Sequence, residues 1–532
     1  MGVLVGLFRL LRWLAIATFW FLKWAGILTF WLVRKILRSR RTSHGSARWA
    51  RLSDLILGSA WLSSSGLIVA KAFGRFIRHR GEGAVLAYAP MGSGKGVGLV
   101  IPNLLDYPGA VICTDPKGEN LAITGRWRAT IGPVFRLDTQ NPEGSHCLNP
   151  FDMIRVGTHH EADDIAALAD LLVTPEASDS HWDTSSRQMI AMLVGYVISS
   201  KPRSLWSLAY VRHLIALGGE EFQYEVERMA ICGNSMVEEE ARVTLAGLQH
   251  DETRSVIKNT AKALQFWSRD RIGGRLTARS DFSLLDMHTT PMTVYIVVPE
   301  DKLKIYQPFL RLMMGCALAA AVRGKEFPMP QHKPLLLVDE FPALGRLEAL
   351  EAGIGYLRAY ARVMLILQDL GQLRRIYGHD SAVSFIAASG CQVAFNVNDN
   401  DTAQLVASAI GNTTVLSRSS GASQPFGALI HHNSQAGYAE STRPLQDVSE
   451  VRRLPRRRCL VFMPGAVRFP IYARKVRYYK VWRWRGRWDE WRRKTGPAEA
   501  DPVDRPGGGL PPRGVEHRQP GREGFAGIRD EL

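Results

Sequence analysis

Apolar residues run almost unbroken from Val3 to Val33, with charge only at Arg9, Arg12 and Lys23, and then give way to a basic run of Arg34, Lys35, Arg38, Arg40 and Arg41. A secretory signal fits poorly, because the apolar region is too long and no small-residue cleavage site follows it. One membrane span takes roughly 20 residues, so this stretch makes one span comfortably, or two only if both are short. At about 100° per residue, Arg9, Arg12, Lys23, Arg34 and Arg38 share a narrow sector. Trp13, Trp20, Trp24 and Trp31 flank it, and the opposite face is Leu, Ile, Ala and Phe. A lysine at mid-bilayer costs roughly 3 kcal/mol on insertion scales, so this stripe calls for another helix, a lumen or the headgroup layer. Two arrangements satisfy it: a tilted span facing its copies in an oligomer, or a helix lying in the interface. Both tie the chain to a membrane, and the positive-inside bias places everything after the basic run in the cytoplasm.

Beyond a mixed segment, His44 to Arg80, that predicts short strands and a helix, the period changes at Ala84. Ala84–Tyr88, Ala110–Thr114 and Val134–Leu137 are short apolar runs between Gly and Pro, and Gly94–Leu105 reads as a helix; together they predict a buried parallel sheet with crossover helices. From about Glu161 to Arg271 strand patterns vanish and apolar residues recur at helical spacing, across Arg187–Ile198, Glu225–Leu248 and Arg254–Phe266. Strand character returns at Met292–Val298, Leu335–Val338, Val363–Leu367 and Gln392–Phe395. One α/β domain is therefore expected to be split by a helical one. Ser417–Ser441 is rich in Gly, Ser, Asn and Ala and reads as a mobile surface loop. After Thr495 the chain carries Pro, Gly and charge with little apolar content, which predicts a disordered tail.

Composition adds a partner class. The formal net charge of +17 over 532 residues suggests a polyanion, either nucleic acid or an anionic membrane surface. The 6 cysteines are scattered singly, without CxxC pairs, which fits reduced core thiols rather than a zinc site.

The chemistry-bearing motifs sit at strand ends. Ala89-Pro90-Met91-Gly92-Ser93-Gly94-Lys95-Gly96, followed by Val97, lies between a strand and a helix. It matches a phosphate-binding P-loop except that Ala89 replaces the first Gly and Gly96 replaces the Ser/Thr that usually binds magnesium. Gly92 and Gly94 let backbone N–H groups curl around phosphate, the helix N-terminus adds its dipole, and Lys95 brings a cation to the β- and γ-phosphates. Leu335–Val338 is an apolar strand that delivers Asp339 and Glu340 at its C-terminal end, the Walker B arrangement. Ligands of α/β sheets bind at that edge. Asp339 would hold Mg²⁺, largely through water, and Glu340 would polarise the attacking water. Val363–Leu367 ends at Gln368, placed to report the γ-phosphate or simply to open a solvated loop. Asp115-Pro116-Lys117-Gly118-Glu119 ends another strand, where Lys117 or Glu119 would touch nucleotide or a neighbouring subunit, unless this is a plain turn. ATP and Mg²⁺ are the implied ligands.

These motifs resemble, in collinear order from about Arg40 to Tyr479, the type IV coupling proteins, the TraG-type ATPases of conjugation and type IV secretion. The resemblance is carried by His44-Gly45-Ser46-Ala47-Arg48-Trp49-Ala50, Gly92-Ser93-Gly94-Lys95-Gly96-Val97-Gly98 with Val100-Ile101-Pro102, Thr114-Asp115-Pro116-Lys117-Gly118-Glu119 and Leu148-Asn149-Pro150. It continues through Arg279-Ser280-Asp281-Phe282, Val338-Asp339-Glu340-Phe341, Gln368-Asp369-Leu370 and Arg443-Pro444-Leu445. Gly96 resembles a common variant of this branch. Such proteins often carry two spans around a periplasmic segment, for which the apolar region here is too short.

The resemblance implies an α/β fold: a RecA-like P-loop NTPase domain with an inserted all-α domain, an N-terminal membrane helix and, by composition, the disordered C-terminal tail. The chain divides accordingly into an anchor with its basic flank (1–41), a juxtamembrane segment (42–80), a split nucleotide-binding domain (81–155 and 285–485), an all-α domain (156–284) and the tail (495–532). It also implies a homohexamer in the bacterial inner membrane that receives a relaxase–DNA complex or a protein and feeds it to the secretion channel proteins. P-loop hexamers complete their sites with an arginine from the next subunit; Arg358 and Arg362 are the candidates, with Arg374 and Arg375 behind them. Contacts to DNA are expected to be mostly to phosphate and non-specific. The run from Arg474 to Arg485 interleaves cations with aromatics, which suits single strands. Its alternative is a terminal strand with a solvated basic face, followed by a helix that packs Trp488 and Trp491 on the body. Two other functions stay open at this point: a receptor that uses nucleotide only to assemble, and a chromosome-partition DNA pump. The Asp115–Glu119 motif, the inserted helices and the lack of a DNA-reading C-terminal module speak against the second.

Overall fold

The computed structural model describes residues 45–174, 180–422 and 434–491, with isolated helical positions between 18 and 29. The apolar N-terminal helix and the tail after Thr495 otherwise lie outside the described residues; within the isolated positions, the Lys23 ammonium stands 4.9 Å from the Trp20 ring centroid. The chain divides into two compact units, Met1–Arg48 with Ala407–Asp447, and Trp49–Val406 with Val448–Leu532.

The larger unit is built on strands β1 (Leu67–Ala72), β2 (Arg75–His79), β3 (Ala84–Tyr88), β4 (Val111–Asp115), β5 (Val134–Asp138), β6 (Thr293–Val297), β7 (Leu335–Val338), β8 (Arg362–Leu367) and β9 (Ser389–Ala394). In the smaller unit β10 (Asn412–Ala422) and β11 (Ser434–Pro444) form a ribbon, and the larger unit is completed by β12 (Arg458–Met463) and β13 (Val467–Arg474). The large unit's sheet has 11 strands in the order β2-β1-β13-β12-β9-β3-β8-β7-β4-β6-β5. From β9 to β5 every pairing is parallel, and β12, β13, β1 and β2 extend the sheet antiparallel from the β9 edge. Strands β3, β4, β6 and β7 are buried at every position. That is why they read as continuous apolar runs rather than alternating ones: helices cover both faces of a parallel sheet.

Two strand placements decide where chemistry can occur. Strand β8 lies between β3 and β7, so the loop after β3 and the acids after β7 are separated by one strand whose own end carries Gln368. Strand β9 flanks β3 on the other side and joins the antiparallel extension to it.

Between β5 and β6 the described chain is helical: Glu161–Leu172, Ser180–Ser200, Leu208–Ala216, Gly219–Met229, Ser235–Gly247, Asp251–Leu264 and Ile272–Leu276. The expected helix over Glu225–Leu248 is two helices. Gly233 takes φ 83°, and Asn234 caps the second helix by accepting a hydrogen bond from the Val237 N–H. Where the chain enters and leaves this segment, two of the sequence motifs clasp each other: Asn149 N–H donates to Ser280 Oγ (2.8 Å) and Cys147 N–H to Asp281 Oδ2 (2.8 Å). Those residues are bracing, not chemistry.

Among the described residues one helical stretch, Glu300–Glu326, is long and apolar enough to cross a membrane. It is mostly buried within the protein and packs as a core helix.

Three further expectations are corrected. The described part of Ser417–Ser441 is strand rather than loop: Asn412–Ala422 and Ser434–Pro444 pair antiparallel in register from Asn412↔Pro444 to Ala422↔Ser434. The small polar residues of these strands disguise them in the sequence. The P-loop helix begins as a π-turn, Gly96–Val100, before the α-helix Ile101–Asp106. After β13 the basic-aromatic run forms two short 3₁₀ turns, Tyr478–Lys480 and Trp482–Trp484, and no helix. Trp484 is the indole that enters the core, stacked on Phe76 with ring centroids 5.3 Å apart. Trp488 packs edge-on against Tyr478, and Trp491 is exposed.

Candidate nucleotide site

The C-terminal ends of β3, β8, β7 and β4 converge on one edge of the sheet. Gly92 and Gly94 take φ of 72° and 86°, the left-handed region that L side chains avoid, which turns the loop after β3 back on itself. A Cβ added at Gly92, Gly94 or Gly96 would meet nothing within 4 Å, so the loop's concave side is open. The backbone ladder fixes its base: Ala89 N–H donates to Leu367 O (2.7 Å) and Phe395 N–H to Tyr88 O (2.8 Å).

Lys95 reaches from this loop to the acids after β7. Its ammonium lies 2.8 Å from Asp339 Oδ1 and 2.8 Å from Glu340 Oε2. Gln368 Nε2 donates to Glu340 Oε1 at 3.0 Å, and Thr114 Oγ1 holds the Asp339 carbonyl at 2.9 Å. Glu340 sits at φ 69°, a conformation that costs a non-glycine residue about 1–3 kcal/mol; the strain turns its carboxylate toward Lys95 and Gln368. Burial works against the Lys95 charge, but Asp339 and Glu340 together more than offset it and its pKa is raised. Asp339 is more deeply buried, and burial holds its pKa above the usual carboxylate range despite Lys95. Lys95 keeps its charge because two acids face it, whereas for Asp339 the cost of burial outweighs the attraction of Lys95.

Two buried polar atoms show what the site lacks. Ser93 Oγ, inside the loop, and Asp339 Oδ1, which has only the Lys95 ion pair, make no directed hydrogen bond. An open loop of N–H groups, a cation, an unpartnered Ser93 hydroxyl and a carboxylate held only by Lys95 fit a nucleotide polyphosphate with a divalent cation on the Asp339 side. A cavity of about 460 Å³ lies elsewhere, lined by Leu168, Leu171 and Leu357 together with charged side chains such as Asp164, Arg311 and Glu348.

The other sequence candidates distribute as follows. Pro90, Met91 and Val97 lie along the loop, Met91 well exposed. Lys117 pairs with Glu300 at 3.3 Å, and Glu119 starts the helix Glu119–Ala129 at the same edge. Arg358 and Arg362 lie at the opposite edge: Arg358 pairs with Glu82 Oε2 at 3.5 Å, just before β3, and Arg362 opens β8. The fold therefore keeps both away from their own chain's Lys95. Arg374 and Arg375 end the helix after β8, with Arg374 on Asp401.

Sequence reasoning gave Asp115, Asn396 and Lys475 no individual part in this site, although Asp115 stands in the Asp115–Glu119 motif and Lys475 in the basic-aromatic run. Asp115 is buried, accepts the Leu121 N–H at 2.9 Å, and burial pushes its pKa up to about 7. Lys475 donates to the Ser93 carbonyl at 2.7 Å and to Asn396 Oδ1. Its place inside a basic run pointed to nucleic acid instead.

With this geometry in place, comparison with known proteins is specific. Residues 48–501 match the family model for type IV secretory system conjugative DNA transfer. The conjugal transfer protein TraG of Escherichia coli is 31% identical over 77% of this chain and 71% of its own length. Protein VirD4 of Agrobacterium fabrum is 29% identical over 82% of this chain and 66% of its own. In structure, the bacterial conjugative coupling protein TrwB without its first 70 residues superposes with TM-score 0.62 at 16% identity, covering 81% of this chain and 92% of that one. The plasmid coupling protein TrwB in complex with ADP and Mg²⁺ gives 0.60 at 16% identity, covering 81% of this chain and 94% of that one. The chain belongs to the type IV secretory system conjugative DNA transfer family, the type IV coupling proteins.

Proposed function

We propose that this protein is a membrane-anchored P-loop ATPase that receives a relaxase–DNA complex, or a protein substrate, and drives its transfer into a type IV secretion channel by ATP hydrolysis. The observation that carries the reading is the convergence of Lys95, Asp339, Glu340 and Gln368 at one sheet edge, next to an open glycine loop.

Residues Ala89 to Val97 wrap the phosphates, and Lys95 leaves the two acids for the β- and γ-phosphates. Asp339 would hold Mg²⁺, since Gly96 offers no hydroxyl. When bound, the cation would neutralise charge that develops on the phosphates. Glu340 accepts a proton from the attacking water, and Gln368 orients that carboxylate and senses the γ-phosphate. Arg358, turned away from its own site, serves a neighbour's site in a homohexamer.

In the same reading the helices between β5 and β6 form an all-α domain (156–284) inserted in a RecA-like domain (81–155 and 285–485). Residues 1–41 anchor the chain in the bacterial inner membrane. Single-stranded DNA is held chiefly through phosphate contacts, in line with the charge of +17.

The test uses the full chain. Glu340→Gln should bind ATP but hydrolyse none, Lys95→Ala should lose both, and neither should support mating. Transfer that persists without hydrolysis would overturn the motor and leave a receptor that uses nucleotide only to assemble.

A further inference from the structure

The segment after β13 reaches the phosphate loop. Strand β13 ends at Arg474, and the next residue, Lys475, is pinned by its own N–H to Arg457 O at 3.0 Å. Its side chain crosses to the loop, where the ammonium donates to Ser93 O (2.7 Å) and Asn396 Oδ1 and stands 4.5 Å from the Phe395 ring centroid. Asn396 is itself held in place: it sits at φ 44°, and its Nδ2 donates to Leu454 O at 2.6 Å. Phe395 presses on the start of the P-loop helix so closely that a Cβ at Gly98 would lie 3.0 Å from its ring. Phe395, Asn396 and Lys475 thus form a brace behind the loop, two of them from the end of β9 and one from the end of β13.

The choice of a charged donor is informative. A neutral side chain could make both hydrogen bonds, whereas a partly buried ammonium without a counter-ion carries a desolvation cost. Among the described residues no carboxylate pairs with Lys475. The titratable group that acts on it is the buried Cys459 thiol on β12, which burial keeps neutral with its pKa pushed up to about 12. A lysine ammonium has three donors, and its two protein acceptors leave one over. An anion would offset that cost, and the open loop that Lys475 braces suits a polyphosphate.

We propose that Lys475 is a positioning residue of the nucleotide site: it fixes the curl of the P-loop through the Ser93 carbonyl and adds a second positive charge, beside Lys95, to the field that a nucleoside triphosphate enters. The proposal rests on the nucleotide reading of this site.

It is tested on the full chain in detergent or nanodiscs with Lys475→Arg, Lys475→Gln and Lys475→Met, reading kcat and KM for ATP, Kd for a fluorescent ADP analogue, and melting temperature without nucleotide. Gln and Met should raise KM and Kd by about tenfold or more with kcat little changed, and Arg should restore both. Burial depresses the Lys475 pKa to about 8, so Kd of the parent should rise as pH passes from about 7 to about 9, while Kd of the Arg variant stays flat. A Gln variant with the parent's Kd and KM would show that charge is not needed and overturn the proposal. So would a Met variant that melts lower but binds ADP unchanged, because that describes a plain structural brace. If the parent itself binds no nucleotide, or hydrolyses ATP as well after Lys95→Ala, the reading of the site has failed, and this shows before any Lys475 variant is made.

Discussion

Lys95→Ala should do more than abolish hydrolysis: it should destabilise the nucleotide-free protein. Lys95 Nζ lies 2.8 Å from an oxygen of each acid, with side-chain exposures of 22% for Lys95, 11% for Asp339 and 14% for Glu340. At an effective dielectric of about 20, opposite charges about 3 Å apart attract by roughly 5–6 kcal/mol before the cost of leaving water is counted. Removing one partner of a buried pair costs about 3–5 kcal/mol, because the other charge is left behind. Two features reduce that here. The site is partly exposed, and Asp339, whose pKa burial already raises, can escape by protonating. The expected loss is about 2–4 kcal/mol near pH 8, or about 4–8 °C in melting temperature at roughly 2 °C per kcal/mol for a body of this size.

The sign with pH follows from linkage. An acid whose folded pKa is raised binds its proton more tightly when folded, so its contribution favours folding as pH falls and is lost as pH rises through the folded value. Without Lys95 the Asp339 pKa rises further, so the variant's deficit should shrink as pH is lowered toward about 5. Adding Asp339→Asn should recover most of the stability and none of the activity, while Glu340→Gln, which leaves the Lys95–Asp339 pair intact, should melt close to the parent. The assay is thermal unfolding of the solubilised chain without nucleotide. A Lys95→Ala variant at least as stable as the parent at pH 8, or a double variant no better than the single, would refute the shared-ammonium account.

Gly96→Ser should fold normally, because nothing lies within 4 Å of the added Cβ. It should lower the Mg²⁺ concentration needed for half-maximal hydrolysis several-fold; an unchanged Mg²⁺ requirement would contradict the placement of the cation. Asp115, with its pKa raised to about 7, and His79, with its pKa lowered by burial to about 4, titrate with opposite effect on stability. The Asp115 contribution is lost as pH rises from about 4 to about 7, and the His79 contribution grows from about 4 to about 6.5. Asp115→Asn should therefore steepen the rise of stability with pH and add up to about 4 kcal/mol near pH 8, read by unfolding across pH. Trp484→Ala should cost about 3–5 kcal/mol of stability. Trp482→Ala, at a residue 84% exposed, should leave melting unchanged and weaken single-stranded DNA binding by about 1–3 kcal/mol, measured by titration at fixed salt.

How much of this was legible in the sequence depended on distance along the chain. The P-loop and the Asp339–Glu340 pair are written in consecutive residues, and the apolar runs before them are long enough to announce buried strands. The split of the sheet by helices was legible for the same reason, since strand patterns stop and restart. What failed to show was whatever needed partners far away or no core at all. The brace joins Ser93 to Lys475 across 382 positions, and no spacing rule reaches that far. The ribbon of β10 and β11 is rich in small polar residues, so its composition imitates a loop. The strain at Glu340 cannot be read from residue type, because only the folded neighbours force a positive φ on a side chain that resists it.

The antiparallel extension of the sheet explains why one stretch of sequence carries several jobs. Strand β9 pairs with both β3 and β12, and β12 pairs with β13, so the end of β13 is brought to the loop after β3 by sheet pairing alone. The residues that follow then sort by direction. Lys475 turns inward to Ser93, Trp484 enters the core beneath Phe76, and Tyr479, Lys480, Trp482 and Arg483 face outward. A basic-aromatic run that suggested a single nucleic-acid surface is therefore divided between the nucleotide loop, the core and the exterior. Only seven peptide bonds, from Lys475 to Trp482, separate the side chain that braces the loop after β3 from an indole exposed on the surface.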